Sequence, residues 1–358
     1  MELKKIAIVG AAGFVGLELV SQLEQYNQYE LYAITRDNGN FLLKERNIKL
    51  ISESDIGKYH PFDAVINLAY PTVQNTALFP ETNKKILNTL QKLCDANTRL
   101  IQVSTQAVFG FGMEHEVVTS LIPKRRDYPY IEAKLEMEHF VKEIPTKETA
   151  IVRLGNVWGE GSAVWTGSLV EKLLFGQYTG VENADGYANI TDVKNVANYL
   201  VFLLQKAELS NFRIYHLAEF SSAKWSHIVN ELARELNVDV VLSDVVPSDT
   251  ASLISETKGM FKAAIGSTWG KINLAKMSSS YLRSAIRFYG VDKFQKMKQN
   301  RNKPLPRLAK LSESDIKFLT VLTSNVEFKS VLDPEWVPLV NYQESLSLVK
   351  SWMKNVGY

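Results

Sequence analysis

Tyr130 and Lys134 stand four residues apart in the run DYPYIEAKLEMEHF. On a helix that spacing puts both side chains on one face. A lysine ammonium beside a phenol favours the phenolate and draws its pKa down from about 10 toward neutral pH. The phenol then becomes a usable general acid or base. Tyr128 is a second phenol in the same run, but its partner four residues on is Glu132, whose charge acts in the opposite sense. A Tyr-x-x-x-Lys pair also occurs on ordinary solvated helix faces. Here it gains meaning from its company: the Thr105 hydroxyl in LIQVSTQAVFG, and a glycine-rich turn early in the chain.

That turn is KKIAIVGAAGFVG, residues 4–16. Ile6, Ala7, Ile8 and Val9 read as a strand buried on both faces. Gly10, Gly13 and Gly16 then lead into the amphipathic pattern Phe14, Val15, Leu17, Leu19, Val20, Leu23. Strand, glycine turn and helix N-terminus together make an anion site, where bare backbone approaches a pyrophosphate. The spacing GxxGxxG is one residue longer than the commoner dinucleotide fingerprint. The same glycines would also serve a tight turn that holds no ligand. We expect Gly10, Ala12, Gly13, Phe14, Val15 and Gly16 to line the phosphate cradle.

The elements that must position these groups follow in order. Glu30 to Ile34 reads as a second strand ending in Thr35-Arg36-Asp37. An acid at that tip bonds the adenosine ribose, whereas an arginine accommodates a 2′-phosphate. Thr35 and Arg36 therefore favour NADP(H) over NAD(H), with Asp37 on the ribose as the alternative. Ile48 to Ile51 is a third strand, and Ala64 to Pro71 is a strand running into a turn. Small residues in this stretch, which includes Asn67, Leu68 and Ala69, would let backbone approach the middle of a dinucleotide. A helix follows over residues 81–97. Leu100 to Val103 is another buried strand, which carries Ser104, Thr105 and Gln106 at its carboxyl end. Alternating strands and helices predict an α/β fold with a doubly wound, Rossmann-type parallel sheet, whose ligands sit at strand carboxyl ends.

The 358 residues suffice for two domains, and 46% hydrophobic with 22% charged residues suits a globular enzyme. A formal net charge of +2 gives no overall nucleic-acid or membrane signal. Met1 to Lys5 runs straight into the first strand without room for a leader, and we expect a cytoplasmic protein. Cys94 is the single cysteine, so no intrachain disulfide or cysteine metal cluster forms. No His, Asp and Glu grouping has metal spacing. His216 and His227 lie in periodic apolar runs and read as hydrogen-bonded core residues.

The pieces GAAGFVG, NLAY, STQAVFG, YIEAK, RLGNVWGEGS, ANITDVKNVANYL and WVPLVNYQESLSLVKSWMK stand in the order of a known family. The chain resembles the extended short-chain dehydrogenase/reductases of the NAD-dependent epimerase/dehydratase type, which mostly modify nucleotide sugars. The resemblance covers roughly residues 4–230 and 327–353. It implies that Thr105 and Tyr130 bond the reacting sugar oxygen and that Lys134 holds the nicotinamide ribose. It implies that residues 67–69, Ser104 and Asn83 lie along the cofactor or support the site. Gln106 and Asn156 would meet the substrate, Asn156 near its diphosphate, and Asp192 marks the return to the nucleotide domain. Departures narrow the chemistry. Family 4,6-dehydratases carry Asp-Glu where this chain has Gln106-Ala107, and 3,5-epimerase/reductases carry cysteine at position 107. Phe109 replaces the usual tyrosine, and Trp158-Gly159-Glu160 replaces Tyr-Gly-Pro.

The resulting expectation is hydride transfer at a nucleotide-sugar carbon, by epimerisation or net reduction but not 4,6-dehydration, in a homodimer. Alternatives are an NADPH-dependent reductase of another ketone or aldehyde, and a non-catalytic dinucleotide-binding regulator. The Rossmann domain is expected over residues 1–157 and 187–217, with the substrate lobe over 158–186 and 218–358. Within the lobe, residues 258–310 are rich in Lys and Arg against the single acid Asp292. A solvated insertion explains them better than a membrane-facing surface. Helices are expected over residues 195–204, 225–236, 313–330 and 342–354.

Overall fold

Strand β1 (Lys4–Val9) is buried from Ile6 onward, as an apolar run with no face for water must be. The computed structural model describes residues 3–35, 42–71, 76–111, 116–118, 129–174, 179–181, 185–243, 321–356 and 358. Arg36, Asp37, Tyr128 and the basic stretch 258–310 lie outside the described residues. After β1 come α1 (Phe14–Leu23), β2 (Tyr29–Ile34), β3 (Lys49–Ile51), α2 (Ile56–Tyr59), β4 (Ala64–Asn67) and α3 (Phe79–Leu93). Next are β5 (Arg99–Thr105), β6 (Glu116–Val118), α4 (Pro129–Phe140), β7 (Glu148–Leu154), β8 (Asn156–Trp158) and α5 (Ser168–Leu174). The chain continues through β9 (Thr179–Val181), β10 (Ile190–Asp192), α6 (Val193–Gln205), β11 (Phe212–Leu217) and α7 (Trp225–Leu236). It closes with β12 (Val241–Ser243), β13 (Val326–Phe328) and α8 (Tyr342–Val356).

Seven strands form one sheet in the order β3-β2-β1-β4-β5-β7-β11, every neighbouring pair parallel. The chain leaves β1 toward β2 on one side and returns to β4 on the other. That reversal opens a crevice at the carboxyl ends of β1 and β4, where open α/β sheets bind ligands. Helices α1 and α6 pack together on one face, through Leu17, Val20, Leu23, Val196, Leu200 and Leu203. Helices α3 and α4 cover the other, with Leu90, Leu93 and Met137 buried there. The expected doubly wound Rossmann fold is therefore present.

A second core gathers Trp158, Leu169, Trp225, Ile228, Val349 and Trp352 from α5, α7, α8 and the end of β8. Asp192 joins it to the sheet. Its carboxylate N-caps α6 by accepting from the Lys194 amide at 2.7 Å, and also accepts from the Ser345 hydroxyl on α8. The Trp158 indole donates to that same hydroxyl at 2.8 Å. At the other end of α6, Arg99 donates to the carbonyls of Leu203 and Lys206 at 2.8 and 2.7 Å.

The structure corrects three expectations. Residues 326–328 form β13, paired in parallel with β6, where the helix expected over 313–330 would have continued; residues 313–320 of that range lie outside the described residues. His216 is fully buried, yet neither ring nitrogen has a hydrogen-bond partner among the described residues; its ring meets Phe109 edge-on at 4.9 Å. His227 is exposed on α7, against Tyr342, and not in the core. Among the described residues no helix is long and apolar enough to cross a membrane, and no His, Cys, Asp and Glu group could hold a metal ion.

Candidate active site

The glycine turn is closed too tightly for side chains. Gly10 has φ +88°, in the left-handed region, and a Cβ there would lie 3.0 Å from the Ala69 amide nitrogen. A Cβ on Gly16 would lie 2.4 Å from the Gly10 carbonyl oxygen and 2.6 Å from that of Ala11. Gly13 N-caps α1 with no side-chain acceptor. The first-turn amides, at Phe14, Val15 and Gly16, are thus aimed past the turn without a side-chain cap, with Ala12 half-buried beside them. Bare backbone, a helix N-terminus and the switch-point crevice together fit the pyrophosphate of a dinucleotide.

The opposite wall is the turn after β4. The Leu68 amide donates to the Val9 carbonyl at 2.9 Å, which binds this turn to the end of β1. Asn67 is fully buried; it donates to Gln102 at 2.7 Å and accepts from the Ala69 amide at 3.0 Å. Its side chain shapes the turn from beneath, and Leu68 and Ala69 present the backbone that meets Gly10. Thr35 follows β2, its amide donating to the Ile51 carbonyl at 3.0 Å; its hydroxyl is buried and has no hydrogen-bond partner among the described residues.

Along β5, three adjacent side chains diverge. Ser104 points under α4 and donates to Glu138 at 2.6 Å. Thr105, at the strand end, accepts from the Ala107 amide at 3.2 Å, which leaves its O–H proton as a donor. Gln106, just past the strand, is buried, and neither end of its amide has a hydrogen-bond partner among the described residues. Thr105, Gln106 and Asn156 line one cleft together with Tyr187 and Asn189, so the three expected substrate contacts share a wall. Asn156 donates to the Ala188 carbonyl at 2.8 Å, and the Asn189 amide group ties down Val326 and Phe328.

Helix α4 carries Tyr130 and Lys134 one turn apart, as the spacing requires. The Lys134 ammonium lies 5.9 Å from the centre of the Tyr130 ring and 4.7 Å from that of Tyr70. The two rings meet edge-on with centres 6.0 Å apart. Burial pushes Lys134 down to about 8, while the charge of Glu138 pulls the other way. Its ammonium donates to the Val103 carbonyl at 3.4 Å. Asn83, buried on α3, holds α4 in place through the Ala133 carbonyl and Glu136, both at 2.7 Å. Tyr70, Glu138 and Arg153 were not singled out from sequence as part of the site. Glu138 carried a signal, since it follows Lys134 by four residues on the same face. Tyr70 carried none.

The fold is the one that the resemblance of the sequence motifs to extended short-chain dehydrogenase/reductases led us to expect. Residues 4–261 match the family described as the RmlD substrate binding domain, and the chain belongs to that family. The spore coat polysaccharide biosynthesis protein SpsK of Bacillus subtilis (strain 168) is 24% identical over 258 residues, 68% of this chain and 84% of that protein. UDP-glucuronic acid 4-epimerase from Bacillus cereus, solved with UDP-glucuronic acid and NAD, superposes with a TM-score of 0.55. It is 18% identical and covers 78% of this chain and 99% of its own. UDP-glucose 4-epimerase from Bifidobacterium longum, solved with NAD+ and UDP, gives 0.56 at 14% identity over 76% of this chain and 97% of its own. At such identities these structures bear on the fold alone.

Proposed function

We propose that the chain is an NAD(P)-dependent oxidoreductase or epimerase acting on a nucleotide sugar, with Tyr130 as general acid and base. The observation that carries this reading is the buried Lys134 ammonium beside the Tyr130 ring, which meets Tyr70 of the same turn that lies against Gly10. When bound, the nicotinamide ring supplies a hydride acceptor and donor. Tyr130 takes the hydroxyl proton of the sugar carbon as that carbon is oxidised, and returns it when the carbonyl is reduced. Thr105 donates to the same oxygen and fixes its direction. Lys134 keeps positive charge beside the phenol and would hold the nicotinamide ribose. Asn156, in the same cleft as Thr105 and Gln106, would meet the diphosphate. Gln106 and Ala107 offer no carboxyl for water loss, so 4,6-dehydration is not part of the proposal.

Arg36 favours a 2′-phosphate and hence NADP(H), although the solved relatives named above were captured with NAD. The second core, with residues 158–186 and 218–358, serves as the substrate lobe, and two copies pair through helices beside Tyr130. Native mass spectrometry of the purified protein tests the reading. A retained dinucleotide supports an epimerase that recycles its cofactor, and an empty protein that takes up NADPH supports a reductase. A protein that binds neither NAD(H) nor NADP(H) refutes the proposal.

A further inference from the structure

Of the two rings beside the Lys134 ammonium, the nearer belongs to Tyr70 and not to Tyr130. Nζ lies over the Tyr70 ring, 4.7 Å from its centre, against 5.9 Å for the Tyr130 ring. The rings themselves meet edge-on, with centres 6.0 Å apart and planes at 82°. The ammonium has little else to hold it. Lys134 is 5% exposed, and its one hydrogen bond among the described residues is long, to the Val103 carbonyl at 3.4 Å. It makes no ion pair among the described residues. Glu138, one turn further along α4, accepts instead from Ser104 and from Nε and Nη2 of Arg153. A desolvated ammonium so sparsely bonded gains from the electron-rich face of an aromatic ring, a contact that strengthens where water is excluded.

We infer that Tyr70 is a positioning residue for Lys134 and Tyr130: its ring seats the ammonium and abuts the Tyr130 ring, so the turn that closes the glycine cradle also places the pair. The inference rests on the proposed function for what the pair does, but the contact stands apart from it. The backbone around Tyr70 is fixed on both sides. The preceding residue, Ala69, meets Gly10: its amide nitrogen would lie 3.0 Å from a Cβ there. Asn67 accepts from that amide at 3.0 Å, and the Leu68 amide is bonded to the Val9 carbonyl. Pro71 follows, which confines the Tyr70 backbone to extended conformations. Burial raises the Tyr70 phenol above its ordinary range, so the ring stays neutral beside the ammonium.

The test is a double-mutant cycle on the full chain, read by fluorescence titration with NADH and NADPH. Tyr70→Leu removes the ring and keeps apolar bulk, so Lys134 loses its seat and dinucleotide should bind about tenfold more weakly. Tyr70→Phe keeps the ring and should bind within about threefold of the parent. In a Lys134→Met background Tyr70→Leu should make no further difference, because the ammonium that the ring seats is gone. A ring that merely supported the turn would give the same loss with and without Lys134, and that result overturns the inference. Parental affinity in Tyr70→Leu overturns it too, as does a loss in Tyr70→Phe equal to that in Tyr70→Leu. Thermal unfolding checks that each variant is folded; Tyr70→Met, unbranched and adaptable, serves if Tyr70→Leu is not.

A second readout needs no dinucleotide. In protein labelled with 13Cε-lysine, the Lys134 resonance is assigned by its loss in Lys134→Met. The Tyr70 ring current should place the Lys134 ε-protons further upfield in the parent and in Tyr70→Phe than in Tyr70→Leu. The same position in the parent and in Tyr70→Leu overturns the inference. The expected displacement in a protein that binds neither NADH nor NADPH refutes the proposed function and leaves the seat of the ammonium on Tyr70 in place.

Discussion

Gly16→Ala probes the cradle with a single methyl group. The added Cβ would lie 2.4 Å from the Gly10 carbonyl oxygen and 2.6 Å from that of Ala11, well inside van der Waals contact. Both neighbours are backbone, so no side chain can swing aside. Either α1 moves away from the turn or the turn opens. Overpacking of this kind costs about 1–3 kcal/mol, so the melting temperature should fall by a few degrees. The displacement falls on the amides that would receive the pyrophosphate. Dinucleotide affinity should therefore drop tenfold or more, equivalent to about 1.4 kcal/mol. Gly57→Ala is the control. A Cβ on Gly57, within α2, meets nothing within 4 Å, and replacing a helical glycine with alanine stabilises by up to about 1 kcal/mol. Thermal unfolding and fluorescence titration with NADH and NADPH measure both effects. A Gly16→Ala protein that melts and binds like the parent would refute the reasoning, and a damaged Gly57→Ala would show that helical glycines matter here for some other reason.

Further outcomes follow from single groups. Burial raises Glu219 to about 7, against an ordinary 4.5, although Thr191, Asn195 and the Asp192 amide donate to its carboxylate. A raised folded pKa means that the native state binds more protons between about pH 4.5 and 7. Stability from this group is therefore full below that window and is lost as pH rises through it. Glu219→Gln should remove that slope and raise stability at pH 8 by about 1–3 kcal/mol, read by chemical denaturation at pH 5 and 8; equal loss at both would contradict it. Arg36→Ala should raise the Michaelis constant for NADPH much more than for NADH, and equal effects would remove the 2′-phosphate assignment.

Much of the fold was legible because buried parallel strands leave dense apolar runs. Strand β11 over Phe212–Leu217 and helix α7 over Trp225–Leu236 occupy the residues that their patterns indicated. The glycine turn was legible for a different reason, since close backbone approach excludes every other residue type. Strand β13 was not legible. Its three residues are a strand because β6, some two hundred residues earlier, pairs with them, and no local pattern records that. The charged core beneath the site showed only in the four-residue spacing of Lys134 and Glu138. Helix α4 buries Lys134 and Glu138 beside Ile131 and Met137, so its polar and apolar residues do not separate into two faces. Arg153 lies on a strand whose every residue is buried, and only the fold shows that its partner is Glu138. His227 misled because a periodic run on α7 places it one step outside the apolar stripe of Trp225, Ile228 and Leu232.

The central claim is that Tyr130 moves the proton while the cradle holds the dinucleotide, and Tyr130→Phe separates those two tasks by removing one oxygen. With turnover of UDP-sugars followed by NMR and NAD(P)H by absorbance, the variant should lose about 10²–10⁴-fold in rate and still bind dinucleotide as the parent does. A variant that turns over at the parental rate would contradict the account.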